Sequence, residues 1–155
     1  MSYLIRTAKP TDMKEVLGLI KELAVFENEP DAVEINEEDL IRDGFEGDAF
    51  KCFVAEKDAR IVGIALVYPR YSTWKGVALH LEDLIVTQSL RGSGIGSALL
   101  KQVVDYAKEL GVKRVSWDVL DWNEPAISFY VAKGAKVLRD WDVVQLDEQG
   151  IKNFK

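Results

Sequence analysis

The chain has 155 residues, of which 48% are hydrophobic and 30% charged, the mixture of an ordinary globular domain large enough to bury a core without covalent staples. Twenty basic against 26 acidic side chains leave a formal charge of −6, which argues against nucleic acid and for neutral or cationic partners. No apolar stretch approaches bilayer length and the N-terminal MSYLIRTAKP has no extended apolar signal segment, so the expected location is the cytoplasm, with no membrane partner.

In chain order, Tyr3 to Thr7 reads as a short strand closed by Pro10. Asp12, with Glu15 three residues on, offers a capping box ahead of Met13, Val16, Leu17, Ile20 and Leu23 at helical spacing. That predicts a helix from about residue 12 to about residue 25, with Phe26 and Glu27 at its exit. A polar loop leads to a shorter helix over residues 36–43, ended by Gly44. Glu27, Glu29, Asp31, Glu34, Glu37, Glu38 and Asp39 crowd this early region; solvated faces explain them, and a cation-attracting rim is the functional alternative.

From Phe50 the period falls to two. FKCFVAEK and RIVGIALVYPR read as the strands of a hairpin turning at Lys57, Asp58 and Ala59. Cys52, the one cysteine, is a buried or half-buried strand residue with no sequence feature pairing it with a base. YSTWKG, Tyr71 to Gly76, is the next turn, and a long strand follows from Val77 to Val86. The glycine turn RGSGIG then opens a helix whose Ile95, Leu99, Val103, Tyr106 and Leu110 form one stripe, capped by Gly111. RVSWDVL is expected as a strand parallel to its predecessor, because a helix makes the crossover. Asn123 begins another helix, with Pro125 in its first turn, which stops at Gly134; AKVLRDWDVVQLD supplies one or two closing strands. The order β α α β β β α β α β β, without repeats or linkers, predicts one α/β domain over residues 1–155.

Three places carry chemistry. Arg91, Gly92, Ser93, Gly94, Ile95, Gly96 and Ser97 form a loop at a helix start, where uncovered backbone amides and the helix dipole suit an anion such as a pyrophosphate; a plain turn needing positive φ is the bland alternative. No Gly-Lys-Ser/Thr follows, so it is not a Walker loop. In WNEPAISFY, Asn123 caps a helix and the aromatics suit a core, but the phenol of Tyr130 can give a proton to a leaving group. Glu82 and Asp83 interrupt an apolar strand; alternation puts at most one on a given face, and an edge or a splayed cleft would accommodate both. His80, the one histidine, reads as structural, and no residue spacing suggests a metal site.

Together these motifs resemble the GNAT superfamily of N-acetyltransferases. RGSGIG matches the R/Q-x-x-G-x-G/A acetyl-coenzyme A loop, and Asn123 through Tyr130 match the second signature, an asparagine with a tyrosine seven positions on. KELAVFE, LIRDGF, YSTWKG, LEDLIV, RGSGIGS and DWNEPAISFY resemble the diamine acetyltransferase group, with YSTWKG and VLDWN closer to its thialysine N-epsilon-acetylating branch than to the spermidine/spermine N1-acetylating one. The resemblance implies a central, mixed, mostly antiparallel sheet splayed between its fourth and fifth strands and flanked by helices. It also implies acetyl-coenzyme A as cosubstrate, no metal, a small cationic amine as acceptor, direct transfer in a ternary complex, and a homodimer.

Residue by residue, it implies that Arg91 to Ser97 hold the pyrophosphate, that the backbone of Leu84, Ile85 and Val86 pairs with the pantetheine arm, and that Asn123 and Lys133 touch the coenzyme. Tyr130 would protonate the thiolate and Glu82 would accept the amine proton; Phe26, Glu27, Trp74, Glu82 and Asp83 would line the amine channel. A backbone N–H near Ile85 is the expected oxyanion donor. Ser72 stands where spermidine/spermine enzymes carry an acid, which favours thialysine, a lysine-like amine or a short diamine over a polyamine. Polyamine acetylation and a non-catalytic coenzyme-binding module are the competing readings.

Overall fold

The computed structural model describes residues 2–155, which cluster into one compact unit reaching to Asp118 and another, Val119–Lys155. The first holds a five-stranded sheet in the order β1 (Leu4–Thr7), β2 (Lys51–Lys57), β3 (Arg60–Ser72), β4 (Gly76–Val86) and β5 (Val115–Ser116). Neighbours are antiparallel except β4 and β5, which run parallel because α3 (Ile95–Leu110) carries the chain back between them. The β2–β3 hairpin turns on Asp58 and Ala59, both left-handed at φ 52 and 60, the pair of conformations that matches strand twist.

Helix α1 (Met13–Phe26) covers one face of the sheet: its Met13, Val16 and Leu19 pack with Cys52, Val54, Ile64 and Ile85. Asp12 does not cap it as expected. Its carboxylate instead accepts from both terminal nitrogens of Arg6, at 2.7 and 3.0 Å, and from the Lys9 amide, and these bonds hold its pKa below the usual range. Glu15, the other half of the expected box, accepts from the Ile61 amide at 3.0 Å and so ties α1 to β3. The second helix also departs from expectation: α2 spans Glu37–Ile41 and a π-turn, Arg42–Glu46, runs through Gly44, where a side chain would fall on the Phe50 ring.

The other face takes α3, whose Ile95, Leu99 and Val103 are fully buried. A Cβ on Gly63 would stand 3.0 Å from Leu99 Cδ1 and 3.1 Å from the Ile85 carbonyl, so a glycine is what lets helix and strand approach. Gly111, at φ 71, ends α3 as expected. Burial pushes the Cys52 thiol up to about 12, which leaves it protonated and inert.

In the second unit Asn123 Oδ1 accepts from the Ala126 amide and starts α4 (Glu124–Ala132), which ends at Gly134 with φ 95. The predicted closing strands are not formed: residues 135–147 belong to no strand, and a short helix α5 (Glu148–Lys152) follows instead. RVSWDVL likewise forms only the two residues of β5. No helix among the described residues is long and apolar enough to cross a membrane.

Candidate active site

The site is built around an irregularity in β4. Leu66 faces Asp83, but the next residue, Val67, faces Leu81, so Glu82 is one residue too many for the ladder. Such a bulge bends its strand and re-aims side chains. Leu66 and Tyr68 share a face of β3, and their partners Asp83 and His80 share it too. Glu82 joins them there: its Oε2 accepts from the Tyr68 hydroxyl at 3.1 Å and stands 3.5 Å from His80 Nε2. The expectation that alternation would separate Glu82 from Asp83 is therefore overturned by the inserted residue.

Charge follows that placement. Burial, then the charges of Glu82 and Glu27, raise the Asp83 carboxyl to about 6. Glu27, just past the end of α1, is half-buried and raised by desolvation. Three carboxylates from two elements thus act on one region, with Glu82 the most open of them at 52% side-chain exposure. The Tyr68 phenol is raised by burial and by Glu82, which keeps it a proton donor toward that carboxylate.

His80 is buried, as a structural histidine is expected to be. Its Nδ1 lies 3.0 Å from Ser116 Oγ on β5 and its ring is tilted 5.2 Å from that of Tyr68, so a polar chain runs Glu82, His80, Ser116 across the parallel strands. Tyr68, Ser116 and Glu22 were not singled out in the sequence. No short motif marks them; only strand register and helix phase bring them in.

β4 and β5 pair only at Leu79↔Val115 and His80↔Ser116. Beyond that, among the described residues, no fifth-strand partner faces Leu81 to Val86, which is the expected splay. The bond from the Thr87 amide to the Val62 carbonyl fixes the alternation of this stretch: the Ile85 amide points to β3, and those of Leu84 and Val86 point to the open edge. Of the amides around Ile85, those facing the open edge are therefore its neighbours', with Leu84 the first outward amide after the bulge.

Where β4 ends, Gln88–Leu90 make a 3-10 turn, and Gly92 and Gly94 take φ 80 and 90, which only glycine adopts without strain. Helix α3 begins with no side-chain cap; its first backbone bond is from Ala98 to the Gly94 carbonyl. The preceding amides lie ahead of the helical ladder, and a side chain at Gly92 or Gly94 would project into open space. A phosphate-bearing coenzyme fits this uncapped end and the strand edge beside it. Arg91 reaches back instead, its Nε donating to the Val86 carbonyl at 3.0 Å and its guanidinium lying 5.0 Å over the Phe26 ring. Glu22 of α1 accepts from the Thr87 hydroxyl and the Gln88 amide, so the same helix end that presents Phe26 and Glu27 anchors the loop.

Trp74 is not gathered with these residues. It sits in the β3–β4 turn, 80% exposed, and the stretch of β4 from Gly76 to Glu82, about 20 Å of strand, separates it from that carboxylate. In the second unit Tyr130 and Lys133 both flank Phe129: the Tyr130 ring lies 5.4 Å from it and Lys133 Nζ 5.7 Å. A cavity of about 680 Å³ opens at the far end of the sheet, among Lys51, Tyr68, Leu79, Tyr106 and Lys113, and none of the expected site residues line it. Among the described residues no group of three His, Cys, Asp or Glu is placed to hold a metal ion.

Comparison with known proteins matches residues 13–135 to the model of the acetyltransferase (GNAT) family. The chain is 42% identical to the thialysine N-epsilon-acetyltransferase of Bos taurus, over 97% of this chain and 96% of that one. It is 39% identical to the spermidine/spermine N(1)-acetyltransferase-like protein 1 of Homo sapiens, over 86% of this chain and 20% of that protein. Among solved structures, an integron cassette protein from the V. cholerae mobile metagenome superposes with a TM-score of 0.80 at 24% identity, covering 98% and 96% of the two chains. AAC(6')-Iy, solved in complex with a bisubstrate analogue, gives 0.79 at 19% identity, covering 95% and 99%.

Proposed function

The chain belongs to the acetyltransferase (GNAT) family and is an acetyl-coenzyme A-dependent amine N-acetyltransferase; from that premise we propose that its acceptor is the primary amine of a small cation, namely thialysine, a lysine-like amine or a short diamine. The observation that carries this is the convergence of Glu27, Glu82 and Asp83 beside the opening between β4 and β5. A cation entering there meets three carboxylates, two of them, Asp83 and Glu27, with raised pKa values that a positive charge would lower again. The relatives named for thialysine acetylation support the same acceptor class.

Acetyl-coenzyme A supplies the activated acyl group. The amine must lose a proton before it attacks, and Glu82, held by Tyr68 and beside His80, is the acceptor for it, directly or through water. The outward amide of Leu84 is the donor for the acyl oxygen, while Val86 and the Arg91–Ser97 loop hold the arm and the pyrophosphate. Tyr130 protonates the leaving thiolate, and Asn123 and Lys133 hold the coenzyme. Attack is direct, with amine and thioester bound together, since the Cys52 thiol is buried and protonated. The whole of residues 1–155 serves this one activity, as a cytoplasmic homodimer.

A polyamine such as spermidine is the weaker acceptor. Holding a second distant ammonium would take a further acid, and the Ser72 hydroxyl is occupied with the amides of Trp74 and Lys75, both at 3.1 Å, in closing the turn. Thiol release with thialysine, lysine, putrescine and spermidine side by side tests this. The expected order of kcat/KM puts thialysine above spermidine by at least about tenfold; the reverse order would overturn the acceptor assignment.

A further inference from the structure

The cavity of about 680 Å³ at the far end of the sheet plays no part in acetyl transfer, and its size is that of a small-molecule site, about 300–1,000 Å³. Strand register shows how it is built. Lys51 pairs with Val67, Pro69 with Leu79 and Tyr71 with Val77, so alternation sets these side chains on one face of the sheet. That is the face α3 covers: Lys51 Nζ lies 4.7 Å over the ring of Tyr106. Val67 and Leu79 are fully buried and close the floor, while Val77 and Leu110 stand open on the walls, 51% and 48% exposed. Those walls are apolar surface that a ligand would take out of water.

The charge of the cavity is opposite to that of the chain. Lys51 from β2, Lys75 from the β3–β4 turn and Lys113 from the loop before β5 line it, against one acid, Asp48, in a chain of formal charge −6. Among the described residues the lysines in ion pairs are Lys57, Lys101 and Lys152, none of which lines the cavity. The end of α3 does not claim these cations either, since the Gly111 and Val112 amides already bond the Lys108 and Ala107 carbonyls. We propose that the cavity binds a small anion with an apolar body, a medium-chain carboxylate, whose chain lies between Val77 and Leu110 and whose head group meets Lys51 and Lys113. Complementarity selects that chemistry: a bare phosphate would leave the walls wet, and a cation of the acceptor's kind would meet three like charges. None of the residues assigned to coenzyme or amine lines the cavity, so both sites can be filled at once.

Calorimetric titration of octanoate into the full-length chain saturated with coenzyme A tests this, with octylamine and inorganic phosphate titrated alongside. Octanoate is expected to saturate with a Kd below about 1 mM and to shift the methyl resonances of Val67 and Leu79, and the other two to bind at least about tenfold more weakly. Lys51→Gln combined with Lys113→Gln is expected to weaken octanoate at least about tenfold, with the melting temperature of the ligand-free protein within a few degrees of wild type. Leu110→Trp, which fills the cleft and leaves the lysines in place, is expected to weaken it as much. Octylamine or phosphate bound as tightly as octanoate, uptake that never saturates, or an unchanged affinity in either variant would overturn the proposal. Octanoate that binds only when coenzyme A is left out would place it in the acetyl-transfer site and overturn the proposal too, while amine acetylation would stand.

Discussion

Tyr68 donates its hydroxyl to Glu82 across two strands, at 3.1 Å, and it does so because an extra residue in β4 turns Glu82 to the side on which Tyr68 stands. The bond fixes where the carboxylate stands when it takes a proton from an ammonium group. Tyr68→Phe is therefore expected to lower kcat by less than about tenfold while the affinity for acetyl-coenzyme A stays unchanged. Steady-state kinetics beside calorimetric titration of the coenzyme checks it. A kcat equal to that of wild type would show that the bond does not position the base.

Asp83 gives a stability prediction with a definite sign. Its folded carboxyl is raised to about 6, above the ordinary value, so between the two the folded state holds more proton than the unfolded one. Stability is then full below the unfolded value and falls as pH rises through about 6. Asp83→Asn is expected to be more stable than wild type above pH 6, by on the order of 1–2 kcal/mol, and equal to it near pH 4. Urea midpoints at the two pH values measure this, and a difference that does not change with pH would refute the electrostatic cause. The same variant is expected to raise the KM for a cationic amine.

Gly94 starts α3 at φ 90, where a side chain is strained by roughly 1–2 kcal/mol. Gly94→Ala is expected to relax by moving the uncapped amides, lowering the melting temperature by a few degrees and weakening acetyl-coenzyme A about tenfold. Calorimetric titration of the coenzyme reads the second effect. Gly63→Ala, also a glycine change but set against Leu99 and the Ile85 carbonyl, is expected to cost about 1–3 kcal/mol while the affinity of the folded protein for coenzyme stays within about threefold.

For Tyr130→Phe the expected loss is about 10²–10⁴ in kcat, with coenzyme affinity unchanged, if the phenol supplies the proton to the thiolate. Turnover unchanged from wild type would remove that role.

What could be read from the sequence follows the range of the forces involved. Helix α1, the turn at Asp58 and Ala59 and the stop at Gly111 rest on interactions within a few residues, and they stand where their residues put them. The acids at Glu27, Glu82 and Asp83 and the glycine loop were visible as residue types out of place in their surroundings. The bulge was not, since an inserted residue has no side-chain signature; with it went the shared face of the two β4 acids, the outward turn of Leu84 and the part played by His80. Asp12 was misassigned because Arg6 and Lys9 compete for its carboxylate more strongly than a helix end does. The one or two strands expected over residues 135–147 failed for a further reason: strand propensity is realised only where a neighbouring ladder exists.

The bulge at Glu82 also makes the site sensitive to counting. Deleting Leu81 would restore even spacing and set Glu82 opposite Val67, on the side of the sheet that α3 covers and away from Tyr68. Substitutions at these positions adjust how strongly a cation is held, whereas that one-residue deletion would take the proton acceptor out of the site. Acceptor choice in this chain is thus written partly in the length of a strand.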